Sequence, residues 1–144
     1  MTVLDASALI AVLNREPAAD QVRALLEGRP PPSISGSNLA EVVDHMMRVQ
    51  GLPADDVNDA IDLLIAAGLD VEPYWLTHAR RAAGIRAKYY HRTRNPISLA
   101  DAACIATARL LATDIATSDP ALAGTARELG VEVIRLPSSG GATS

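Results

Sequence analysis

Four acids in this chain demand a physical reason for their positions. They are Asp5 in MTVLDASALI, Glu41 in SGSNLAEVVDHM, Asp101 in SLADAACIATARLL and Asp119 in IATSDPALAG. Asp5 interrupts an apolar run that should be the first strand of a core, where an unpaired buried charge is expensive. Carboxylates without histidine or cysteine partners suit a hard cation, Mg²⁺ or Mn²⁺, that keeps several of its waters. Such an ion serves phosphoryl chemistry by activating a water, aligning it and neutralising charge on phosphate. The competing explanation is local, because every one of these acids also fits a helix cap. Asp5 or Ser7 can cap the helix that follows. Asn38-x-x-Glu41 and Ser98-x-x-Asp101 resemble capping boxes, and Asp119-Pro120 fits an N-cap followed by proline.

The choice depends on the elements that position the acids. TVLD is a short buried strand followed by a helix over about Ala8 to Asn14, and ADQVRALLEG is a second helix ending at Gly28. After the RPPPS loop, ISGSN carries a strand into the helix NLAEVVDHMMRVQG, with Leu39, Val42, Val43, Met46 and Met47 on its apolar stripe. A helix with Val57, Ile61, Leu64 and Ile65 on one face follows Pro53, and LDVEP is strand-like. Two helices, WLTHARRAAGIRAKYYHR and SLADAACIATARLLA, lead to the strand IATSD, the helix PALAGTARELG and the strand VEVIRLP. Short apolar strands alternating with helices predict an α/β fold, a three-layer α/β/α domain with a mainly parallel central sheet. The domain is expected over residues 1–137, with a frayed tail over 138–144.

In a parallel sheet the strands' carboxyl ends share one edge, and sites form outside it. Asp5 and Asp119 should meet there, whereas Asp114 sits roughly 16 Å away at ~3.3 Å per residue. Glu41 and Asp101 are each expected in the first turn of a helix, with Asn38 on the face of Glu41. Four converged acids would repel by about 3 kcal/mol per pair at ~5 Å and an effective dielectric of ~20. Helix N-termini offset part of that, and a divalent cation offsets more.

Composition narrows the function classes. The chain has 144 residues, 49% of them hydrophobic, and a net charge of −4, so a packed globule is expected. The single cysteine, Cys104, excludes an internal disulfide and fits a reducing cytosol. No leader is expected, because Met1 to Leu13 lacks a basic stretch, and no run is long enough for a membrane span. The net charge hides an asymmetry. No acid occurs between Pro73 and Ala100, where Arg80, Arg81, Arg86, Lys88, Arg92 and Arg94 are interleaved with Trp75, Tyr89, Tyr90 and His91. This stretch is either an RNA-facing patch or a solvated helix face whose tyrosines pack into a core or a dimer interface. His45 is expected at the periphery of the acids, and Cys104 as a small core residue.

The stretches VLDASALIAVL, SGSNLAEVVDHM, SLADAACIATARLLATDIATSD and LGVEVIRLP, in this order and spacing, resemble the PIN-domain ribonucleases. Among these, the chain is most similar to the VapC-type toxins of bacterial toxin–antitoxin modules. The resemblance implies that Asp5, Glu41, Asp101 and Asp119 hold Mg²⁺, with Mn²⁺ possible, bordered by the polar residues Ser7 and Asn38. It further implies an endoribonuclease with an RNA substrate, a homodimer and a cognate antitoxin whose C-terminal segment covers the acidic pocket. Two other classes compete. One is a PIN-like binding module that lost its activity. The other is a phosphoryl-accepting receiver domain, which needs a lysine at a later strand end; the only lysine here is Lys88, on the basic helix.

Overall fold

The computed structural model describes residues 1–138; most of the tail expected over 138–144 lies outside them. Five short strands, β1 (Val3–Leu4), β2 (Ser33–Ser35), β3 (Asp70–Glu72), β4 (Ile115–Thr117) and β5 (Val133–Arg135), form one sheet in the order β3-β2-β1-β4-β5. Every pairing is parallel, with Val3 opposite both Ser33 and Ile115. Seven helices connect them: α1 (Ala6–Leu13), α2 (Ala19–Glu27), α3 (Gly36–Asp44), α4 (Ala54–Ala66), α5 (Leu76–Tyr89), α6 (Leu99–Leu111) and α7 (Pro120–Glu128).

Strand side chains alternate between faces, so each strand supplies two cores. Leu4, Ile34, Ala116 and Ile134 pack with residues of α1, α2, α3 and α4. Val3, Ile115 and Val133 pack with residues of α5, α6 and α7. These are the three expected layers. Helix α6 is buried without interruption from Ala102 to Ala108, the mark of a helix enclosed on all sides. Its small alanines let it lie close to the sheet while its first turn reaches the carboxyl edge.

The structure corrects several element boundaries. Helix α3 begins at Gly36, because the Ser35 hydroxyl accepts from Ser37 N and supplies the cap three residues earlier than Asn38 would. Glu41 therefore lies in the second turn, and Asn38 and Glu41 do not form a capping box. The helix then widens into a π turn over His45–Val49, which buries Met46 and leaves Met47 exposed. Ile65 is exposed as well, whereas Val57 and Ile61 of α4 are buried. Helix α5 stops at Tyr89, so Arg92 and Arg94 sit in the following loop, where His91 and Asn95 pair through their backbones. The residue before Pro96 disfavours helix, which suits an end there.

Two parallel crossovers leave β1 and β4 in opposite directions across the sheet. The crevice between their carboxyl ends is the switch point where open α/β sheets bind ligands. Two residues with a Cβ take the left-handed conformation among the described residues, Arg15 with φ 55° and Ala112, the exposed C-cap of α6, with φ 52° and ψ 50°. A left-handed residue with a Cβ costs roughly 1–2 kcal/mol, and glycine avoids most of it. Ala112→Gly is expected to raise stability by about 0.5–1 kcal/mol after the entropy of glycine is counted, seen as a higher urea midpoint. A lower midpoint contradicts this reading of the cap.

Candidate functional site

Asp5 leaves β1 and caps α1 at the crevice. Its Oδ1 accepts from Ala8 N at 3.1 Å and from the Ser7 hydroxyl at 2.6 Å, and its Oδ2 accepts from the Thr117 hydroxyl at 2.5 Å. The carboxylate is only 4% exposed. Burial raises its pKa from 3.8 to about 6; the bonds from Ser7, Thr117 and Ala8 oppose the rise, and the charge of Asp101 adds to it.

The two hydroxyls also face the far side of the crevice. Ser7 Oγ accepts from Ser118 N at 3.2 Å, and Thr117 Oγ1 accepts from Asp119 N at 3.0 Å. A closed set of hydrogen bonds thus fixes the β1–α1 turn against the β4–α7 turn. Asp119 caps α7 through Oδ1, accepting from Ala121 N at 2.9 Å and Leu122 N at 3.4 Å, with Pro120 at the first helical position. Thr117 is absent from the residues expected from sequence. The available signal was its position in TSD, two residues before Asp119, at the end of a strand whose side chains alternate.

Asp101 lies in the first turn of α6, where Ser98 N donates to Oδ2 and Asp101 N donates to the Ser98 hydroxyl, both at 2.9 Å. Its pKa is raised chiefly by burial and further by Asp119, against the bonds from Ser98. Asn38, fully buried, donates from Nδ2 to Ala100 O at 3.2 Å and so ties α3 to the start of α6. Its Oδ1 has no hydrogen-bond partner.

Capping therefore accounts for part of what Asp5, Asp101 and Asp119 do. It does not account for Glu41. This half-buried acid has no helix end to serve, and its pKa rises from 4.5 to about 7. Burial is the largest cause, followed by the charges of Asp101 and Asp5; an Asn38 hydrogen bond opposes, and Asp119 adds a smaller rise. All four acids thus act on one another across the crevice. Cys104, one turn below Asp101, is fully buried, and its thiol is pushed well up by burial and by Asp5, Asp101 and Glu41. It stays protonated as a core residue. His45 opens the π turn beside Gln50, 3.5 Å away. Asp114 lies at the opposite end of β4, its carbonyl accepting from Val3 N.

Among the described residues no three Asp, Glu, His or Cys side chains stand as a ready-made metal cage. Hydrogen bonds engage Oδ2 of Asp101, Oδ1 of Asp119 and both oxygens of Asp5. The donor set nevertheless fits Mg²⁺ or Mn²⁺. It is all oxygen, it carries excess negative charge, and Mg²⁺ binds through one or two carboxylates while keeping waters rather than in a closed cage. The basic residues divide. Arg80 and Arg81 lie on the exposed side of α5, Arg86 bonds Ile97 O through Nε at 3.0 Å, and Arg92 and Arg94 lie in the loop approaching α6.

The family model for the PIN domain matches residues 2–128. The fold is similar to Mycobacterium tuberculosis VapC20, described as a Sarcin-Ricin loop cleaving toxin. That match has 18% identity and a TM-score of 0.70, covering 86% of this chain and 94% of the other. It is similar also to FitAcB from Neisseria gonorrhoeae, with 23% identity, a TM-score of 0.64 and coverage of 94% and 97%. A third likeness is to DNA-bound VapBC from Salmonella typhimurium, with 18% identity, a TM-score of 0.67 and coverage of 94% and 98%. No curated protein sequence matches.

The acid cluster has a consequence for stability. Glu41 ionises near 7 in the fold instead of near 4.5, so the stability its neutral form contributes is full below about pH 4.5 and is lost as pH rises through 7. In metal-free protein, Glu41→Gln should leave the melting midpoint nearly unchanged at pH 4 and raise it by roughly 3 °C or more at pH 8. A lower midpoint at pH 8 would show that Glu41 is not held against its neighbours' charge.

Proposed function

Because the chain belongs to the PIN domain family, we propose that it is a metal-dependent endoribonuclease, the toxin of a toxin–antitoxin pair. The observation that carries this reading is Glu41, an acid without a structural task, raised to about 7 by burial and by three other acids at the switch point. A structural protein gains nothing from that arrangement. The toxin assignment draws support from the sequence stretches named above and from the likeness to VapC20, VapBC and FitAcB. By the same support, the active form is a homodimer, and a cognate antitoxin places a basic side chain against the acids. Among the described residues no helix is long and apolar enough to cross a membrane, which suits a cytoplasmic site of action.

Asp5, Glu41, Asp101 and Asp119 would hold Mg²⁺ or Mn²⁺. When bound, the ion supplies a lowered pKa for a water and charge neutralisation at the scissile phosphate. The chain's own groups do the rest. Ser7 and Thr117 hold the Asp5 carboxylate in one orientation and donate to both of its oxygens, which opposes the rise in pKa that burial causes. Thr117 also sets the backbone of Asp119, and the Ser98–Asp101 pair fixes the Asp101 side chain at the head of α6. Asn38 secures α3 to α6, so that Glu41 faces the other three acids. Water attacks the phosphorus and the P–O3′ bond breaks, the departing 3′-oxygen taking up a proton, so the products carry 5′-phosphate and 3′-hydroxyl ends.

Purified protein should cleave single-stranded RNA with Mg²⁺ or Mn²⁺ and lose that activity in excess EDTA. Asp101→Asn and Glu41→Gln should each lower kcat/KM by roughly 10²-fold or more while remaining folded. Fragments ending in 2′,3′-cyclic phosphate, or full activity in EDTA, contradict the mechanism. No cleavage by the parent under any divalent metal favours the binding-module reading instead.

Thr117→Val removes the hydroxyl but keeps the shape. It should lower kcat by roughly 10–100-fold, as loss of an orienting partner does, with Thr117→Ser restoring most of the rate. Equal rates for Thr117→Val and the parent would mean that the hydroxyl only fills space.

A further inference from the structure

The stretch without acids, Pro73 to Ala100, does not behave as one patch in three dimensions. Arg81 lines a groove with Arg109 at the far end of α6. Arg109 is eight residues past Asp101, about 12 Å along the helix from the acids. Lys88 and Tyr89 line that groove too and join it to a second concavity against α7, whose other walls include Tyr90, His91, Arg94, Gly124 and Thr125. Asn95 Nδ2 donates to Thr125 Oγ1 at 2.9 Å. Thr125 is six residues beyond Asp119, about 9 Å along α7, and Arg94 is four residues from Ser98, within about 14 Å by chain reach. By chain reach the concavity thus lies within about 9–14 Å of the acids at Thr125 and Arg94, a span of two or three nucleotides.

The geometry points to this concavity, with Arg92 at its rim, as a subsite for single-stranded RNA that holds the strand a few nucleotides from the scissile phosphate. The inference rests on the nuclease reading for its biological sense, and on its own observations for its chemistry. The loop is built rather than slack. His91 and Asn95 exchange backbone hydrogen bonds of 2.9 and 3.1 Å. His91 Nδ1 accepts from Thr93 N and Arg94 N at 3.2 and 3.0 Å, and Asn95 Nδ2 also donates to Tyr89 O at 2.9 Å.

Arg86 is part of the support. Its Nε bonds Ile97 O, and its guanidinium lies 4.4 Å from the centre of the Tyr90 ring. Tyr90 remains 44% exposed, an aromatic face beside cations, which is the pairing that stacks a splayed base while holding its phosphate. The space above Gly124 is open, since a Cβ there would meet nothing within 4 Å. One acid, Glu128, lines the concavity against Lys88 and Arg94. An acidic peptide would use the cations but has no use for the ring, so RNA is the occupant the surface favours.

The test measures binding without cleavage. A fluorescein-labelled RNA decamer of mixed sequence is titrated with the full chain carrying Asp101→Asn, without divalent metal, over a range of salt. Adding Arg92→Ala or Arg94→Ala should weaken binding several-fold and lower the salt slope by about 1. Tyr90→Ala should weaken it roughly tenfold with the slope unchanged. Gly124→Glu should weaken it with no loss of thermal stability, and Arg80→Ala and Arg81→Ala should stay within about twofold of the parent. No binding by the parent, no effect at Tyr90 and Arg94, equal losses at Arg80 and Arg81, or displacement by polyglutamate as readily as by RNA would each overturn the subsite. If these results hold but the protein with intact acids cuts no RNA, the nuclease reading fails and the subsite stands. If it cuts RNA while the loop variants bind normally, the subsite alone fails.

Discussion

The arrangement depends on one unfavourable interaction, the mutual repulsion of four carboxylates at the switch point of a parallel sheet. Asp5 is nearly removed from water, and Glu41 and Asp101 are partly so. Their pKa values rise through burial and through one another. The fold tolerates this because two of the acids begin helices and a third stands in a first turn, where exposed N–H groups and the helix dipole favour negative charge. Capping and catalysis are thus not rival explanations here. The caps let the acids be present in the resting protein, and the strain that the caps leave unrelieved is what the proposed cation would remove.

Glu41 shows where the relief is incomplete. It sits in the second turn of α3, past the reach of the N-terminal amides, and its opposing hydrogen bond comes from Asn38 alone. With no cation present this side chain gives up its proton only near pH 7. The hydrogen bonds around the acids come from neutral groups: Ser7, Thr117 and Asn38 each join two segments of chain, and Ser98 fixes Asp101 within its own turn. Orientation of the acids is thereby assigned to neutral side chains, which carry no charge to add to the repulsion.

Much of this was legible from sequence, for identifiable reasons. The turns that carry Asp5 and Asp119 follow from short apolar runs broken by an acid, although β4 stops at Thr117, two residues before Asp119, and the start of α6 follows from Ser98-x-x-Asp101, a local signal. The start of α3 was misplaced because ISGSN offers three capping side chains within five residues, and tertiary packing selects Ser35. Thr117 escaped because its role is visible only when β1 and β4 are paired, 112 positions apart in sequence. The basic stretch looked uniform along the chain, yet the end of α5 at Tyr89 separates its members into a helix face and a loop. The π turn at His45–Val49 had no sequence mark.

The central claim is that a divalent cation belongs among these acids. Calorimetric titration of Mn²⁺ into the protein at pH 6.5, repeated in two buffers of different ionisation enthalpy, tests it directly. Because Asp5 and Glu41 ionise near 6 and 7, saturable binding should release about one proton, and the release should shrink as pH is raised to 8. Mn²⁺ binding that is absent, or that is saturable but independent of buffer at pH 6.5, would contradict the account.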